Sequence, residues 1–128
     1  MQISLSESLV LPHNEIHIWR ASLGENSLCL QELVKTLSSD ELDRANRFHF
    51  EADRNRFIIG RGILRNLLGY YLDLEPHQLQ FCYGSHGKPA LKTSDLLHFN
   101  LSHSQDLALY AFTRDRQIGI DLEYIRHI

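Results

Sequence analysis

The chain has 128 residues, a typical length for one compact domain or for part of a larger protein. Apolar residues make up 43% and charged residues 23% of it, so the disordered, collagen-like and coiled-coil classes are excluded. The formal net charge of -3 argues against a protein that coats nucleic acid, because phosphate-backbone binders normally present a basic surface.

Cysteine usage and hydropathy indicate a cytoplasmic protein. Cys29 and Cys82 form no Cys-x-x-Cys pair, so neither a zinc knuckle nor a disulfide framework is indicated, and a reducing compartment fits best. No apolar run reaches the roughly 18 residues that cross a bilayer, and the N-terminus lacks the pattern of a signal peptide. We therefore expect neither a membrane nor a nucleic acid as a partner.

The first part of the chain predicts one strand followed by two short helices. Residues 1–14 show no sustained periodicity and are expected to form a loose leader ahead of a domain at residues 15–128. Residues 15–20 alternate as in a strand, and residues 28–37 carry a short amphipathic pattern. Residues 38–47 begin with an acidic turn, which is typical of a helix N-terminus.

The longest helical pattern covers residues 52–72. Its apolar side chains fall in one broad arc, and the sequence predicts a basic face opposite that arc, formed by Arg54, Arg61 and Arg65. Gly60 and Gly62 each cost such a helix about 1 kcal/mol relative to alanine, so they indicate close packing or a close ligand.

Arg56 falls inside the apolar arc of this helix rather than on its basic face. Because an unpaired guanidinium is costly to bury, either its head reaches the surface or an anion meets it. That anion can be a carboxylate of the protein or a phosphate of a ligand. Arg44, near the end of the preceding helix, is less informative, since helix C-termini often carry a base for dipole reasons.

The second part of the chain predicts short strands at residues 79–83, 97–102, 107–113 and 118–124, separated by turn residues. Helices come first and an antiparallel meander follows, which is the α+β pattern. We therefore expect a single α+β lobe in which an antiparallel sheet packs against the long helix.

Two acidic residues at the end of the last predicted strand carry the strongest chemical signal. Asp121 and Glu123 are two residues apart, so they share one face of the strand while Ile120 and Leu122 enter the core. Two neighbouring carboxylates repel unless a cation lies between them, and such oxygen ligation suits Mg²⁺. A solvated strand end is the alternative, and the spacing alone favours it.

A second polar group lies at residues 99–104. Ser102 and His103 are expected at a strand-to-turn junction, where the turn frees His103 from the pleat and backbone N–H groups are available to an anion. A serine hydrolase is disfavoured, because Ser102 lies in no Gly-x-Ser-x-Gly elbow and adjacent residues rarely have the geometry of a nucleophile and its base. A turn histidine without a ligand is the alternative.

A glycine-rich loop surrounds Lys88. It is not a Walker motif, because the four residues between the glycines and the Ser or Thr after the lysine are missing. Lys88, held between Gly87 and Pro89, can still meet a phosphate as a point charge. A plain β-turn with an exposed lysine is the alternative.

Taken together and in order, these segments resemble the 4'-phosphopantetheinyl transferases of the surfactin type. The resemblance covers residues 16–128, nearly the whole chain. The matching segments are residues 39–48, Arg56 with Gly60, Arg61, Leu64 and Arg65, the Gly87-Lys88-Pro89 loop, residues 99–104 and residues 119–123. Each motif is weak alone, but five in the family's order are specific.

The resemblance implies transfer of the 4'-phosphopantetheine arm of coenzyme A to a serine of an apo acyl, polyketide or peptidyl carrier protein, with Mg²⁺ and release of adenosine 3',5'-bisphosphate. It makes Asp121 and Glu123 the metal ligands. It also makes Asp121, Glu123 and His103 the catalytic residues. The residues that correspond to the coenzyme-binding set are Arg44, Arg56, Gly87, Lys88, Pro89, Ser102 and His103. The resemblance does not say whether the carrier serves lysine, fatty-acid, polyketide or nonribosomal peptide biosynthesis.

Two departures from the family's pattern accompany the resemblance. Glu41 stands where some members carry a lysine near the 3'-phosphate, so binding there rests on Arg44 alone. Members of this type are roughly twice as long and consist of two similar lobes with coenzyme A between them, whereas this chain matches the N-terminal lobe. We therefore expect a C-terminal lobe or a second copy as a partner, an apolar docking patch beside Asp121 and His103, and no measurable activity from the chain alone.

Two other functions stay open at this stage. A non-catalytic module that binds coenzyme A or a carrier protein would use the same residues without turnover. A metal-dependent nuclease would use the Asp-x-Glu pair, but the sequence pI of about 6.2 counts against it.

Overall fold

The computed structural model of the chain describes residues 11–12, 15–24, 27–84, 87–92 and 97–114. The elements in chain order are β1 (Ile16–Ser22), α1 (Ser27–Val34), α2 (Ser39–Asn46), α3 (Glu51–Leu72), a 3-10 turn (Pro76–Gln78), β2 (Phe81–Tyr83), β3 (Pro89–Leu91), β4 (His98–Ser104) and β5 (Leu107–Thr113). The described residues divide into a helical unit, which contains residues 22–24 and 27–79, and a sheet unit, which contains residues 11–12, 15–21, 80–84, 87–92 and 97–114.

The sheet unit is built on three strands in the order β1-β5-β4. β4 and β5 pair antiparallel from His98 opposite Thr113 to Ser104 opposite Leu107. β5 is the central strand, and most of its side chains are buried. The turn between β4 and β5 holds only two residues, and Gln105 adopts a φ of 52°, in the left-handed region that non-glycine residues seldom occupy.

A two-stranded hairpin of β2 and β3 completes the sheet unit. Phe81 lies opposite Leu91, and Tyr83 lies opposite Pro89 at the loop end. The ring of Phe81 lies 6.1 Å from the ring of Phe99 on β4, in an edge-on arrangement. This aromatic contact connects the hairpin to the three-stranded sheet.

The first two helices of the helical unit begin and pack as their sequences dictate. Ser38 caps α2: its Oγ accepts a hydrogen bond from Glu41 N at 3.4 Å, and Glu41 Oε1 accepts one from Ser38 N at 2.9 Å. This reciprocal pair is a capping box. Both helices pack against α3, around a small core whose buried members are Leu37, Ala45 and Ile58.

The long helix α3 is buried around most of its circumference. A Cβ at Gly62 would lie 2.7 Å from Cβ of Leu33 on α1, so only glycine permits this approach of the two helices. The helix ends at Asp73, whose φ of 55° is left-handed and whose N–H donates to the carbonyl of Gly69. Of the two explanations that the sequence offers for Gly62, the structure confirms close packing.

The α+β class, the antiparallel pairing and the long helix are confirmed, and β5 has the predicted bounds. The strand β3 was not predicted, because proline is rare inside sheets; here Pro89 is the first residue of a strand in a two-stranded hairpin. The predicted strand at residues 118–124 lies outside the described residues. Among the described helices, none is long and apolar enough to cross a membrane.

Leu11 belongs to the segment that the sequence predicts as a loose leader, yet its side chain is buried. Its carbonyl oxygen accepts a hydrogen bond from Nε of Arg114 at 2.7 Å. Both residues belong to the sheet unit, so this contact ties the start of the described chain to the residue that follows β5.

Candidate functional site

Ser102 and His103 lie inside β4 rather than at its end. The prediction of a strand-to-turn junction is wrong, because the two-residue turn lets the ladder continue to Ser104. His103 therefore stays in the pleat, opposite Ala108, while Ser102 lies opposite Leu109. In an antiparallel pair only alternate residues of a strand direct their N–H groups to the partner strand, so half of the donors of β4 face away from β5.

The imidazole of His103 is available to a ligand. Its side chain is exposed, and it makes no hydrogen bond or ion pair with the part of the chain that the structure describes. Phe99 and Leu101, which precede it on the same face, lie opposite the buried residues Phe112 and Tyr110. The row of side chains on this face thus changes from apolar to polar at His103.

The Gly87-Lys88-Pro89 segment forms a closed, exposed hairpin loop. Gly84 N donates to the carbonyl of Lys88 at 3.1 Å, and Gly87 N donates to the carbonyl of Gly84 at 3.0 Å. Gly87 adopts a φ of 74°, which explains the glycine at a position with open space around it. Lys88 is exposed and forms no ion pair within the described ranges, so the loop holds an ammonium group out toward solvent.

Arg44 lies in the last turn of α2, and its side chain is exposed. Its guanidinium carbon lies 5.1 Å from the centre of the Phe57 ring on α3. This is a cation–π contact within the helical unit. The contact with the Phe57 ring, in addition to the helix dipole, therefore accounts for the orientation of Arg44.

Arg56 is only partly buried, with a side-chain exposure of 37%. Its Nη1 donates to Oδ1 of Asp53 at 3.2 Å, one turn earlier on the same helix. The head of Arg56 thus reaches the surface and also meets a carboxylate. Both explanations that the sequence left open for this arginine apply to it.

Two other arginines of α3, rather than Arg56, are buried and meet a carboxylate there. Arg61 and Arg65, which the sequence places on the basic face opposite the apolar arc, are both buried. Arg61 Nη1 donates to Glu41 Oε2 at 3.0 Å, and Arg65 Nε donates to Glu41 Oε1 at 2.7 Å. The physical reason is that α2 brings a buried carboxylate to this side of α3.

This triad was not predicted, although two signals in the sequence point toward it. The Ser38-x-x-Glu41 spacing marks a capping box, and Arg61 and Arg65 are four residues apart on one helix face. Glu41 had been considered only as a departure from the family's coenzyme site. In this chain it instead joins two helices.

Asp121 and Glu123, the predicted metal ligands, lie outside the described residues. Within the described ranges, no group of three or more acidic, histidine or cysteine side chains is arranged to hold a metal ion. Ser102, His103, Gly87, Lys88 and Pro89 all belong to the sheet unit, whereas Arg44 and Arg56 belong to the helical unit.

Comparison with known proteins identifies the family. The family described as "4'-phosphopantetheinyl transferase, N-terminal" matches residues 17–114 of the chain. The 4'-phosphopantetheinyl transferase HetI of Nostoc sp. is 57% identical over 123 residues, which is 93% of this chain and 52% of that protein.

More distant relatives carry the same activity in their names. The 4'-phosphopantetheinyl transferase Sfp of Bacillus subtilis is 26% identical, over 77% of this chain and 43% of its own length. The mouse L-aminoadipate-semialdehyde dehydrogenase-phosphopantetheinyl transferase is 29% identical, over 70% of this chain and 30% of its own. The chain spans about half the length, or less, of these curated relatives. It belongs to the 4'-phosphopantetheinyl transferase family and matches the N-terminal part of that family's members.

Proposed function

We propose that this chain supplies the N-terminal lobe of an enzyme that transfers 4'-phosphopantetheine from coenzyme A to a serine of a carrier protein. The observation that carries the proposal is the 57% identity with HetI across 93% of the chain, because it extends over every segment that the sequence associates with the coenzyme. The match of the family's N-terminal part to residues 17–114 supports the same assignment.

Four exposed or partly exposed side chains have the right chemistry for the phosphates of coenzyme A. Lys88 presents a point charge on a closed loop, and His103 presents an imidazole without a partner in the described part of the sheet unit. Arg44 and Arg56 present planar guanidinium groups, which suit bidentate contacts with phosphate oxygens. We assign these four residues to the coenzyme phosphates and Ser102 to a hydrogen bond with the pyrophosphate.

We assign Asp121 and Glu123 to Mg²⁺. The donor set fits this metal, because it consists of carboxylate oxygens and leaves room for phosphate oxygens and water. When bound there, Mg²⁺ would neutralise negative charge on the pyrophosphate during phosphoryl transfer. Lys88 and His103 then orient the pyrophosphate for in-line attack.

The reaction exchanges one phosphorus–oxygen bond for another. The serine oxygen of the carrier forms a bond to the β-phosphorus of coenzyme A and releases its proton to solvent, while the bond from that phosphorus to the bridging oxygen breaks. Adenosine 3',5'-bisphosphate leaves with the bridging oxygen and its electron pair. Ser102 in this scheme binds phosphate and forms no covalent intermediate, and His103 donates a hydrogen bond rather than acting as the base.

A chimera with HetI tests the proposal. Residues 1–128 replace the matching 123-residue region of HetI, and the product is incubated with a carrier protein, coenzyme A and Mg²⁺. We expect mass spectrometry to show a carrier heavier by one phosphopantetheine group. The same chimera carrying Asp121→Asn serves as the control, and it should lose activity by about 100-fold or more.

The contrary results are also informative. A folded chimera that binds coenzyme A but modifies no carrier would favour the non-catalytic binding module. A folded chimera that does not bind coenzyme A would contradict the proposal. We place the reaction in the cytoplasm, since an exposed free thiol such as Cys82 persists best in a reducing compartment.

A further inference from the structure

The ring of Phe57 serves as a common platform for two cations. The guanidinium carbon of Arg44 lies 5.1 Å from the ring centre, and that of Arg61 lies 5.2 Å from it. The ring of Phe48 packs nearby, with centroids 5.7 Å apart. All of these residues belong to the helical unit, so the cluster is a local property of α2, α3 and the residues between them.

The two cations on this platform are not equivalent. Arg61 is buried and is neutralised by Glu41, whose Oε2 accepts its Nη1 at 3.0 Å. Arg44 is exposed and lies three residues after Glu41 on α2, where an intrahelical ion pair would be the ordinary arrangement. Glu41 is instead turned inward to Arg61 and Arg65. Among the described residues, the guanidinium of Arg44 has no carboxylate partner.

A contact with an aromatic ring orients a guanidinium without using its hydrogen-bond donors. The attraction acts through the face of the ring, whereas the five N–H donors of arginine lie in the guanidinium plane. An ion pair with Glu41 would orient Arg44 equally well, but it would occupy the donors that a phosphate needs. Phe57 therefore restricts the position of Arg44 and leaves its donors open to an anion.

We propose that Phe57 is a positioning residue for coenzyme A, which holds the Arg44 guanidinium so that its N–H donors meet a phosphate group of the coenzyme. The inference rests on the proposed function, in which Arg44 binds such a phosphate. The new element is the ring. The ring of Phe57 orients the guanidinium of Arg44, as an acidic residue usually does.

Isothermal titration with coenzyme A of the chain, carried in the HetI chimera described above, tests this inference, because coenzyme A is expected to bind between two lobes and the chimera contains both. Phe57→Leu removes the aromatic face and keeps an apolar side chain, and we expect it to weaken binding by about two- to fivefold. Phe57→Tyr keeps the face and should bind as the unsubstituted chain does. Phe48→Leu is the matched control, since it removes a phenylalanine from the same cluster but not the ring under Arg44.

A double-mutant cycle separates positioning from packing. In an Arg44→Gln background, Phe57→Leu should have no further effect on the affinity for coenzyme A, because the ring would act through Arg44 alone. The Nε–Hε NMR signal of Arg44 should also shift in Phe57→Leu, as the ring current on it disappears. Thermal unfolding of each variant verifies that it folds, and Phe57→Met, which also lacks an aromatic face, replaces Phe57→Leu if the leucine variant does not fold.

The outcomes distinguish this inference from the proposed function. If the unsubstituted chain binds coenzyme A and Phe57→Leu binds equally well, the inference is wrong and the proposed function stands. An equal loss of affinity in Phe48→Leu, or a loss that persists in the Arg44→Gln background, would also overturn it. If the unsubstituted chain does not bind coenzyme A, both the inference and the assignment of its cations to the coenzyme are contradicted.

Discussion

Glu41 on α2 and Arg65 on α3 form an ion pair with Oε1 and Nε 2.7 Å apart, and both side chains are almost completely buried. The guanidinium of Arg65 also binds the end of the helical unit, because its Nη1 donates to the carbonyls of Pro76 and Leu79, each at 2.9 Å. Glu41 in turn accepts the N–H of Ser38 at the start of α2. A single pair of side chains thus fixes the start of one helix, the middle of another and the 3-10 turn.

Glu41→Gln should destabilise the chain by about 3–5 kcal/mol, because it leaves two buried guanidinium groups without their carboxylate. Urea-induced unfolding measures this difference. Asp43→Asn is the matched control: it removes an exposed carboxylate from the same helix and should change the free energy of unfolding by no more than about 0.5 kcal/mol. Equal effects of the two substitutions would mean that the buried triad has no special role in stability.

Gly62→Ala should destabilise the chain by about 1–3 kcal/mol, even though alanine favours helices. The new Cβ would meet Cβ of Leu33 at 2.7 Å, and an atom next to the backbone cannot move aside as a side-chain end can. Gly84→Ala is the control, since nothing lies within 4 Å of the added atom there. A Gly62→Ala variant as stable as the parent would contradict the close packing of α1 on α3.

Tyr70→Phe should leave stability unchanged at neutral pH or raise it by up to about 1 kcal/mol. The Tyr70 hydroxyl is buried and has no hydrogen-bond partner in the described part of the chain, so its removal relieves a desolvation cost. Burial also raises the pKa of Tyr70 above its ordinary value of 10.0. Its neutral form therefore stabilises the fold below pH 10, and that contribution is lost as the pH rises through the raised pKa. The unfolding curves of the parent and of Tyr70→Phe at alkaline pH should diverge above pH 10. Superimposable curves would contradict the raised pKa of Tyr70.

Ser38→Ala should raise the pKa of Asp40 toward its ordinary value of 3.8. The Ser38 hydroxyl, which donates to Oδ1 of Asp40 at 2.6 Å, is the main cause of the lowered pKa of that carboxyl. A lowered pKa contributes stability above pH 3.8, and this contribution disappears as the pH falls through the lowered value. Carboxyl carbon NMR titration measures the pKa directly. Ser39→Ala, at the neighbouring position, should leave the pKa of Asp40 where it is.

Lys88→Ala should weaken coenzyme A binding by roughly fivefold at low salt, and less as salt is added, because an exposed ammonium acts through a screened charge. Calorimetric titration at two ionic strengths checks both statements. Lys92→Ala removes an equal charge just after β3 and should have a smaller effect. An equal loss in both variants would indicate general attraction by the hairpin rather than a contact at Lys88.

Local signals in the sequence were sufficient for the elements whose geometry is local. Ser38 and the acidic residues after it predicted the start of α2, and the β-like run of residues 107–113 between two turns predicted β5 to the residue. The end of β4 was placed too early because Ser104 was counted with Gln105 and Asp106 as the turn, whereas it pairs with Leu107. For the same reason, Ser102 and His103 were predicted too close to the turn.

The burial of the arginines on α3 could not be predicted from the periodicity of that helix. A helical wheel distinguishes an apolar face from a polar one, but it contains nothing about a carboxylate that arrives from another helix. Arg61 and Arg65 lie 20 and 24 residues from Glu41 in the chain, and only folding brings them together. The platform under Arg44 escaped prediction for the same reason, since Phe57 was assigned to the apolar arc alone.

The arrangement of Glu41 between two arginines also constrains how the family can vary in sequence. A lysine at position 41 would place three like charges in one buried space, so a relative with that lysine should carry an acidic or neutral residue where this chain has Arg61. The two positions are therefore expected to co-vary as a charge exchange. In this chain, Glu41→Lys should prevent folding, whereas Glu41→Lys combined with Arg61→Asp should restore a folded protein.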